Sequence, residues 1–374
     1  NMSEEYTSLG LMSGTSGDGV DASIIRSNGY SKYEVIKDKY YEYDSQIYQD
    51  IHVLKEKIHN INDLKNLNKE LSDLERKITL FHAKVIKEIN GDRKIDVVGF
   101  HGQTIYHNSL KKITNQLGDG KLLSKLTKKK IIFNFRQNDI KNGGEGAPLT
   151  PIFHQLIATK YKLDLPTCIL NIGGISNITI IVEPTGTYGF TSRDIGPGNC
   201  LIDSWVRKNS NYRFDKDGLF ASAGKRNDII FEQAQELFAN RLNKKKLSFD
   251  VNDFDVSFAR GLSLEDGVAT LTDFTARIIG TNLFSLLSDV SNKFWKVIIC
   301  GGGRKNKVLI DKIKKNTLKN IIIQPIDDYG IDGDFVESQA FAFLAIRSIL
   351  KLPISFPDTT GCLKPSTGGD LAKN

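Results

Sequence analysis

Two stretches of this chain share one plan. "LGLMSGTSGDGVDASII" (9–25) is an apolar strand, a glycine-rich turn and a second apolar strand, and "CILNIGGISNITII" (168–181) repeats it in the second half. Each is followed by a third strand-like run, "YEVIKDKYYEY" at 33–43 and "GTYGFTSRD" at 186–194. A glycine hairpin plus a third strand, met twice, predicts an internal duplication in which each half builds an α/β lobe.

The remaining pattern alternates helices with strands, as an α/β layer structure requires. Leu64, Leu67, Leu71, Leu74, Ile78, Phe81 and Val85 recur at spacings of three and four and predict a helix over 63–90 with one buried face. "DVVGFHGQT" (96–104) reads as a strand, and 115–136 as β-α-β. Helices are expected at 150–161, 199–208, 228–243, 268–288 and 335–350, with the last returning toward the first lobe. "KVIICGGGRKN" (296–306) is a buried strand running into a glycine loop. The loop "KNGGEGAPLT" (141–150) marks a boundary. The expected lobes are 1–145 with 352–374, and 146–351; a chain of 374 residues suits two such lobes around a cleft.

Composition excludes several classes. The net charge of +7 comes from dispersed lysines, with runs at Lys128–Lys130 and Lys244–Lys246. No aromatic platform or known module accompanies them, so nucleic acid is not an expected partner, although the field favours anionic ligands. No apolar run approaches the ~20 residues of a membrane span, and no basic-then-apolar segment opens the chain. Cys168, Cys200, Cys300 and Cys362 are far apart and form no C-x-x-C pair, which reads as buried free thiols in a reducing cytoplasm. The six histidines form no zinc pattern.

Three glycine loops carry the chemistry. Gly14, Thr15, Ser16, Gly17, Asp18 and Gly19 place backbone N–H groups and hydroxyls around one point, a phosphate cradle; the structural alternative is a tight hairpin turn. Asp18 suits a magnesium ion held through water against phosphates, and Asp21 does the same or closes the turn. In "RDIGPGN" (193–199), Asp194 ends a strand as a candidate general base, or else makes an Asx-turn or helix cap; Asn199 suits the cap better. The triple glycine 301–303 lets a flat base and ribose lie on bare backbone. Neither G-x-x-x-x-G-K-[ST] nor G-x-G-x-x-G occurs, so nucleotide binding would use another architecture.

These loops match the layout of the actin-like, sugar-kinase and Hsp70-like fold. The chain resembles one family within it, anhydro-N-acetylmuramic acid kinase, through "GLMSGTSGDGVD" (10–21), "GFHGQTIYH" (99–107), "QLGDG" (116–120), "FRQNDIKNGGEGAPLTP" (135–151), "LNIGGISNIT" (170–179), "DIGPGNCLID" (194–203), "CGGGRKN" (300–306) and "DGDFVESQAFAFLA" (332–345). They run in the family's order from end to end. Gly17 departs from the family, which carries a bulky aliphatic residue there, and 207–266 matches less well.

The resemblance implies an α/β protein of two duplicated actin-like ATPase (ribonuclease H-like) lobes around a nucleotide cleft. It implies a cytoplasmic kinase that takes ATP, magnesium and water to 1,6-anhydro-N-acetylmuramic acid, opens the anhydro bridge and phosphorylates O6 in peptidoglycan recycling. A homodimer is compatible with it. ATP would be held by Gly14, Thr15, Ser16, Gly17, Asp18, Gly19, Val20, Asp21, Gly173, Gly174, Gly196, Gly198, Gly301, Gly302, Gly303 and Asn306, with Asp18 on the metal. Asp194 would deprotonate the attacking water. His101, Gln103, Thr104, Arg136, Asp139, Gly144 and Gly146 would face the sugar, with Arg136 on its lactyl carboxylate. His101 is equally read as a satisfied buried histidine. Glu337 is a possible sugar contact, or the far end of a D-x-x-E capping box begun by Asp334. Another sugar kinase of the same fold and a non-catalytic nucleotide switch are the alternatives.

Overall fold

The computed structural model describes residues 3–242, 255–288 and 295–374, in two compact units. The first comprises 1–165, 181–192 and 334–374; the second comprises 166–180 and 193–333.

The first glycine hairpin is present as expected. Strands β1 (Tyr6–Ser13) and β2 (Gly19–Ser27) pair antiparallel, and β3 (Tyr33–Glu42) joins the other side of β2. Strand β4 (Val97–Asn108) lies parallel to β1, and β6 (Ile131–Phe133) parallel to β4. Strand β5 (Ile113–Leu117) pairs with β4, giving a sheet of order β12-β6-β4-β1-β2-β3 once β12 (Asp370–Ala372) is included. β1 and β4 are buried along nearly their whole length because both faces of the sheet are covered. Leu9, Leu11, Val20, Ile24 and Phe100 pack with Ile51, Leu74, Ile78 and Ile86 of the helices Ser45–Lys57 and Asn68–Asn90. The helix Val336–Ile349 covers the other face and comes so close that a Cβ on Gly10 would sit within bonding distance of the Ser338 carbonyl. The helix expected over 63–90 is two, Ile61–Asn66 and Asn68–Asn90, joined at Leu67.

The second unit repeats the plan. Strands β7 (Thr167–Ile172), β8 (Ile175–Ile181), β9 (Phe190–Pro197), β10 (Lys296–Cys300) and β11 (Ile322–Pro325) form a sheet of order β11-β10-β7-β8-β9. β10 is parallel to β7 and β11 to β10, as β4 is to β1 and β6 to β4. With β5 off the path and β12 added at the edge, the run β3-β2-β1-β4-β6 of the first sheet corresponds to β9-β8-β7-β10-β11 of the second, which bears out the duplication. The helix Leu264–Ser288 is buried through most of its length, with Ala276, Ile279 and Leu283 against β7 and β10 residues and Val268, Leu271 and Phe274 against Trp205 and Phe231.

The units differ from the expected lobes. The helix Pro151–Lys160 and the helix Val336–Ile349 fall in the first unit, because the latter buries Phe341, Leu344 and Ile346 against the first sheet's Val97 and Ile132. The helix expected over 228–243 is Asp228–Leu242; residue 243 and the run Lys244–Lys246 lie outside the described residues. Among the described residues, no helix is long and apolar enough to cross a membrane. The four cysteines are free, and three are buried; Cys200 is half-buried.

Candidate active site

In the first unit, the turn between β1 and β2 is held from two sides. Gly17 N–H donates to Gly14 O at 3.1 Å, and Gly17 has φ +65°, the left-handed conformation that glycine adopts without strain. A Cβ there would also meet Ile51 Cγ2 at 2.9 Å, where the helix Ser45–Lys57 packs on the turn. Ser13 is in register with Gln103 of β4, which brings the Gln103 side chain to the turn: Nε2 donates to Gly14 O at 3.0 Å. Lys55 Nζ donates to Thr15 O at 2.5 Å. Among the described residues no protein group accepts from the N–H of Thr15 or Ser16. Beside Gly14 the space is open; the nearest atom to a Cβ would be Ser16 Oγ at 3.9 Å. Two donors without an acceptor beside an open face suit an anion such as a phosphate.

Gly19 is packed against strand β3. Its Cβ would lie 2.3 Å from Tyr41 O, so the position is glycine for the approach of β3. Val20 is buried in the core, and Asp21 is paired across the sheet with Met12. Asp18 is half-buried, and its carbonyl accepts from Tyr43 N–H. Among the described residues no cluster of three or more His, Cys, Asp or Glu could hold a metal ion, so Asp18 would bind one with water and phosphate as co-ligands.

Behind the turn is a buried network that sequence reasoning missed. Ser13 Oγ lies 2.8 Å from Tyr43 Oη and 3.5 Å from His82 Nε2, and His82 Nδ1 donates to Ile78 O. Burial lowers the His82 pKa to about 4, so the ring is neutral.

The HGQT and FRQNDIKNGGEGAP segments meet in the same unit. Arg136 donates from Nε and Nη2 to His101 Nε2, and from Nη1 to Gly146 O at 2.8 Å. His101 Nδ1 donates to Gly102 O. Both ring nitrogens are thus engaged, and burial, then the Arg136 charge, holds the imidazole well below its ordinary pKa. His101 is a buried histidine with both ring nitrogens bonded, and it aims Arg136. Gln103 and Asp139 are likewise bonded within the unit. The Gln103 amide NH₂ braces the glycine turn, while its Oε1 is buried without a partner. Asp139 Oδ2 accepts from Gly146 N–H and Oδ1 from Thr360 Oγ1 at 2.6 Å, so its carboxylate organises the 143–146 loop. A Cβ on Gly144 would strike that carboxylate. Thr104 is buried, with Oγ1 accepting from Gln116. Glu337 stands in the first turn of the helix Val336–Ile349, but the N-cap is Phe335 and no side chain caps it, so the capping box is absent.

In the second unit, Asp194 is buried inside β9, not at its end, because the strand continues to Pro197. Ser176 Oγ donates to the carbonyls of Gly196 and Pro197, and Asn282 to Ile195 O. Two glycine loops meet just beyond: Gly198 N–H donates to Gly174 O and Asn199 N–H to Gly173 O, both at 2.8 Å. Asn199 occupies the N-cap of the helix Cys200–Asn209, with no capping bond from its side chain. In the third loop Gly301 and Gly303 pack on Asn171 and Ile172, and only Gly302 has an open face. Asn306 caps the helix Lys307–Lys315, its Oδ1 accepting from Leu309 N–H. Arg304, also missed, pins this loop: it pairs through two bonds with Asp327, at 2.7 and 3.0 Å, and donates to Gly301 O. That bond holds the Asp327 carboxyl below its ordinary pKa.

The same sheet order in both units, with glycine loops following their strands, defines the actin-like ATPase and sugar-kinase class. Within it, the family model for anhydro-N-acetylmuramic acid kinase matches residues 6–373, and the chain belongs to that family. It is 55% identical to the anhydro-N-acetylmuramic acid kinase of Pelagibacter ubique, covering 100% of both chains, and 36% identical to that of Zymomonas mobilis, over 97% of this chain and 98% of the relative. Among solved structures it is similar to the activator of the 2-hydroxyisocaproyl-CoA dehydratase from Clostridium difficile with bound ADPNP, at 12% identity and TM-score 0.42, covering 91% of this chain and 94% of that one.

Proposed function

We propose that the chain uses ATP and water to convert 1,6-anhydro-N-acetylmuramic acid to N-acetylmuramic acid 6-phosphate and ADP in peptidoglycan recycling. Family membership makes it a sugar kinase with small-molecule substrates. The observation that carries the ATP reading is the turn at 14–16, where two N–H groups without acceptors border an open face. Those groups take the phosphates. Magnesium, when bound, neutralises phosphate charge, and Asp18 would hold it through water.

Asp194 takes a proton from the water that attacks the anomeric carbon. The bond from that carbon to O6 breaks, and O6 accepts the γ-phosphoryl group. Burial within a strand supports this role, because it restricts the carboxylate's movement. Arg136, aimed by His101, supplies positive charge for the lactyl carboxylate, and Thr104 and Glu337 are sugar contacts on the family resemblance. Its ATP supply makes the cytoplasm the proposed compartment. A coupled ADP-release assay tests the reading: turnover with the anhydro sugar and none with ordinary hexoses is expected, and ADP release that ignores the sugar offered would overturn it.

A further inference from the structure

We infer that Lys55 is a positioning residue for the phosphate turn, fixing the Thr15–Ser16 peptide so that the Ser16 N–H faces the phosphates. The inference rests on the reading of the turn as the phosphate site and adds how the chain orients it. Lys55 lies on the helix Ser45–Lys57 and is only 8% exposed, a rare setting for a lysine. Burying an ammonium is costly, yet Nζ is directed at the carbonyl of Thr15, a half-exposed residue whose carbonyl water could serve. That bond fixes the Thr15 carbonyl on the side of the helix Ser45–Lys57.

The peptide plane passes that constraint to the next residue. In a trans peptide the C=O and the following N–H point to opposite sides. Lys55 draws the Thr15 carbonyl toward its helix, which turns the Ser16 N–H away from it. Gln103 does the same one residue earlier, holding Gly14 O so that the Thr15 N–H turns outward. Consecutive N–H groups held this way form an anion nest, and fixing them in advance removes an ordering cost from phosphate binding. Ile51 and His52, from the same helix, lie 2.9 and 3.3 Å from where a Cβ of residue 17 would be, which keeps the helix against the turn. Unlike a lysine that touches phosphate, Lys55 acts through backbone.

Calorimetry with ATP and with adenosine as probes, on wild type, Lys55→Met, Lys55→Arg and Gly14→Val, tests this. Lys55→Met is expected to raise the ATP Kd about ten-fold and leave adenosine binding unchanged, with Lys55→Arg recovering most of the loss. If Lys55→Met does not fold, Lys55→Gln, neutral and one bond shorter, is expected to show the same split between the two ligands. Equal weakening of ATP and adenosine would make Lys55 merely structural and overturn the inference. Unchanged ATP affinity in Lys55→Met, with Gly14→Val weakened, would overturn it while leaving the phosphate site in place. Unchanged ATP affinity in Gly14→Val would remove the phosphate site itself, and the inference with it.

Discussion

Valine at Gly14 and valine at Gly19 should have opposite effects, although both alter the same turn. At Gly19 a Cβ would lie 2.3 Å from Tyr41 O, 2.8 Å from Tyr40 Oη and 2.9 Å from Glu42 Cα. Two of those atoms are backbone of a paired strand and cannot move without breaking the β2–β3 ladder. Overpacking of this kind costs about 1–3 kcal/mol or more, which lowers Tm by roughly 2–4 °C per kcal/mol in a large domain. At Gly14 the nearest atom is 3.9 Å away, so valine fits and Tm should hold. Its methyl groups would instead occupy the open face, and ATP affinity should fall at least ten-fold, about 1.4 kcal/mol. Thermal melts and calorimetry on both variants read the two effects. Wild-type ATP affinity in Gly14→Val would refute the phosphate reading, and a wild-type Tm in Gly19→Val would refute the packing argument.

Two further outcomes follow from buried groups. Burial lowers His82 to about 4 and His154 to about 3, and His101 moves the same way. A histidine kept neutral by folding contributes stability that is full above its unfolded pKa of about 6.5 and is lost as pH falls toward its folded value, at up to about 1.4 kcal/mol per pH unit for each group. Tm should therefore drop steeply between pH 6.5 and 4, and a flat profile would show these rings are not buried neutral. Thr360→Val leaves Asp139 Oδ1 without its hydroxyl donor and loosens the 143–146 loop; about 1–3 kcal/mol of stability should be lost, with a higher KM for sugar than for ATP, and an unchanged sugar KM would separate that loop from the substrate.

The duplication was legible because glycine hairpins between apolar strands leave a local pattern, and Leu71, Leu74, Ile78 and Val85 show their helix by spacing alone. The site was legible only in part. Gly14 and Gly19 look alike in sequence, and what separates them is the neighbouring strand β3, which no local pattern reveals. His101 and Arg136 are 35 residues apart, so nothing local shows that one occupies the other. Lys55 left no signal at all; its burial comes from tertiary packing of a helix whose lysines look solvated. Arg304 stood inside the quoted "CGGGRKN", but its partner Asp327 is brought near only by the fold. The helix Val336–Ile349 carries an apolar run from Ala340 to Ile346, which announces burial without saying against which sheet.

The central claim is that Asp194 activates the water that opens the anhydro bridge, and one measurement reaches it directly. Turnover by wild type in ¹⁸O-water, beside the Asp194→Asn variant, follows both the oxygen and the base. Asparagine keeps the shape of the side chain but not its basic oxygen, so kcat should fall by ~10²–10⁴ with little change in KM for either substrate. The wild-type product should carry one labelled oxygen on its anomeric carbon and none in its phosphate. Label in the phosphate, or near-normal turnover in the variant, would contradict the account.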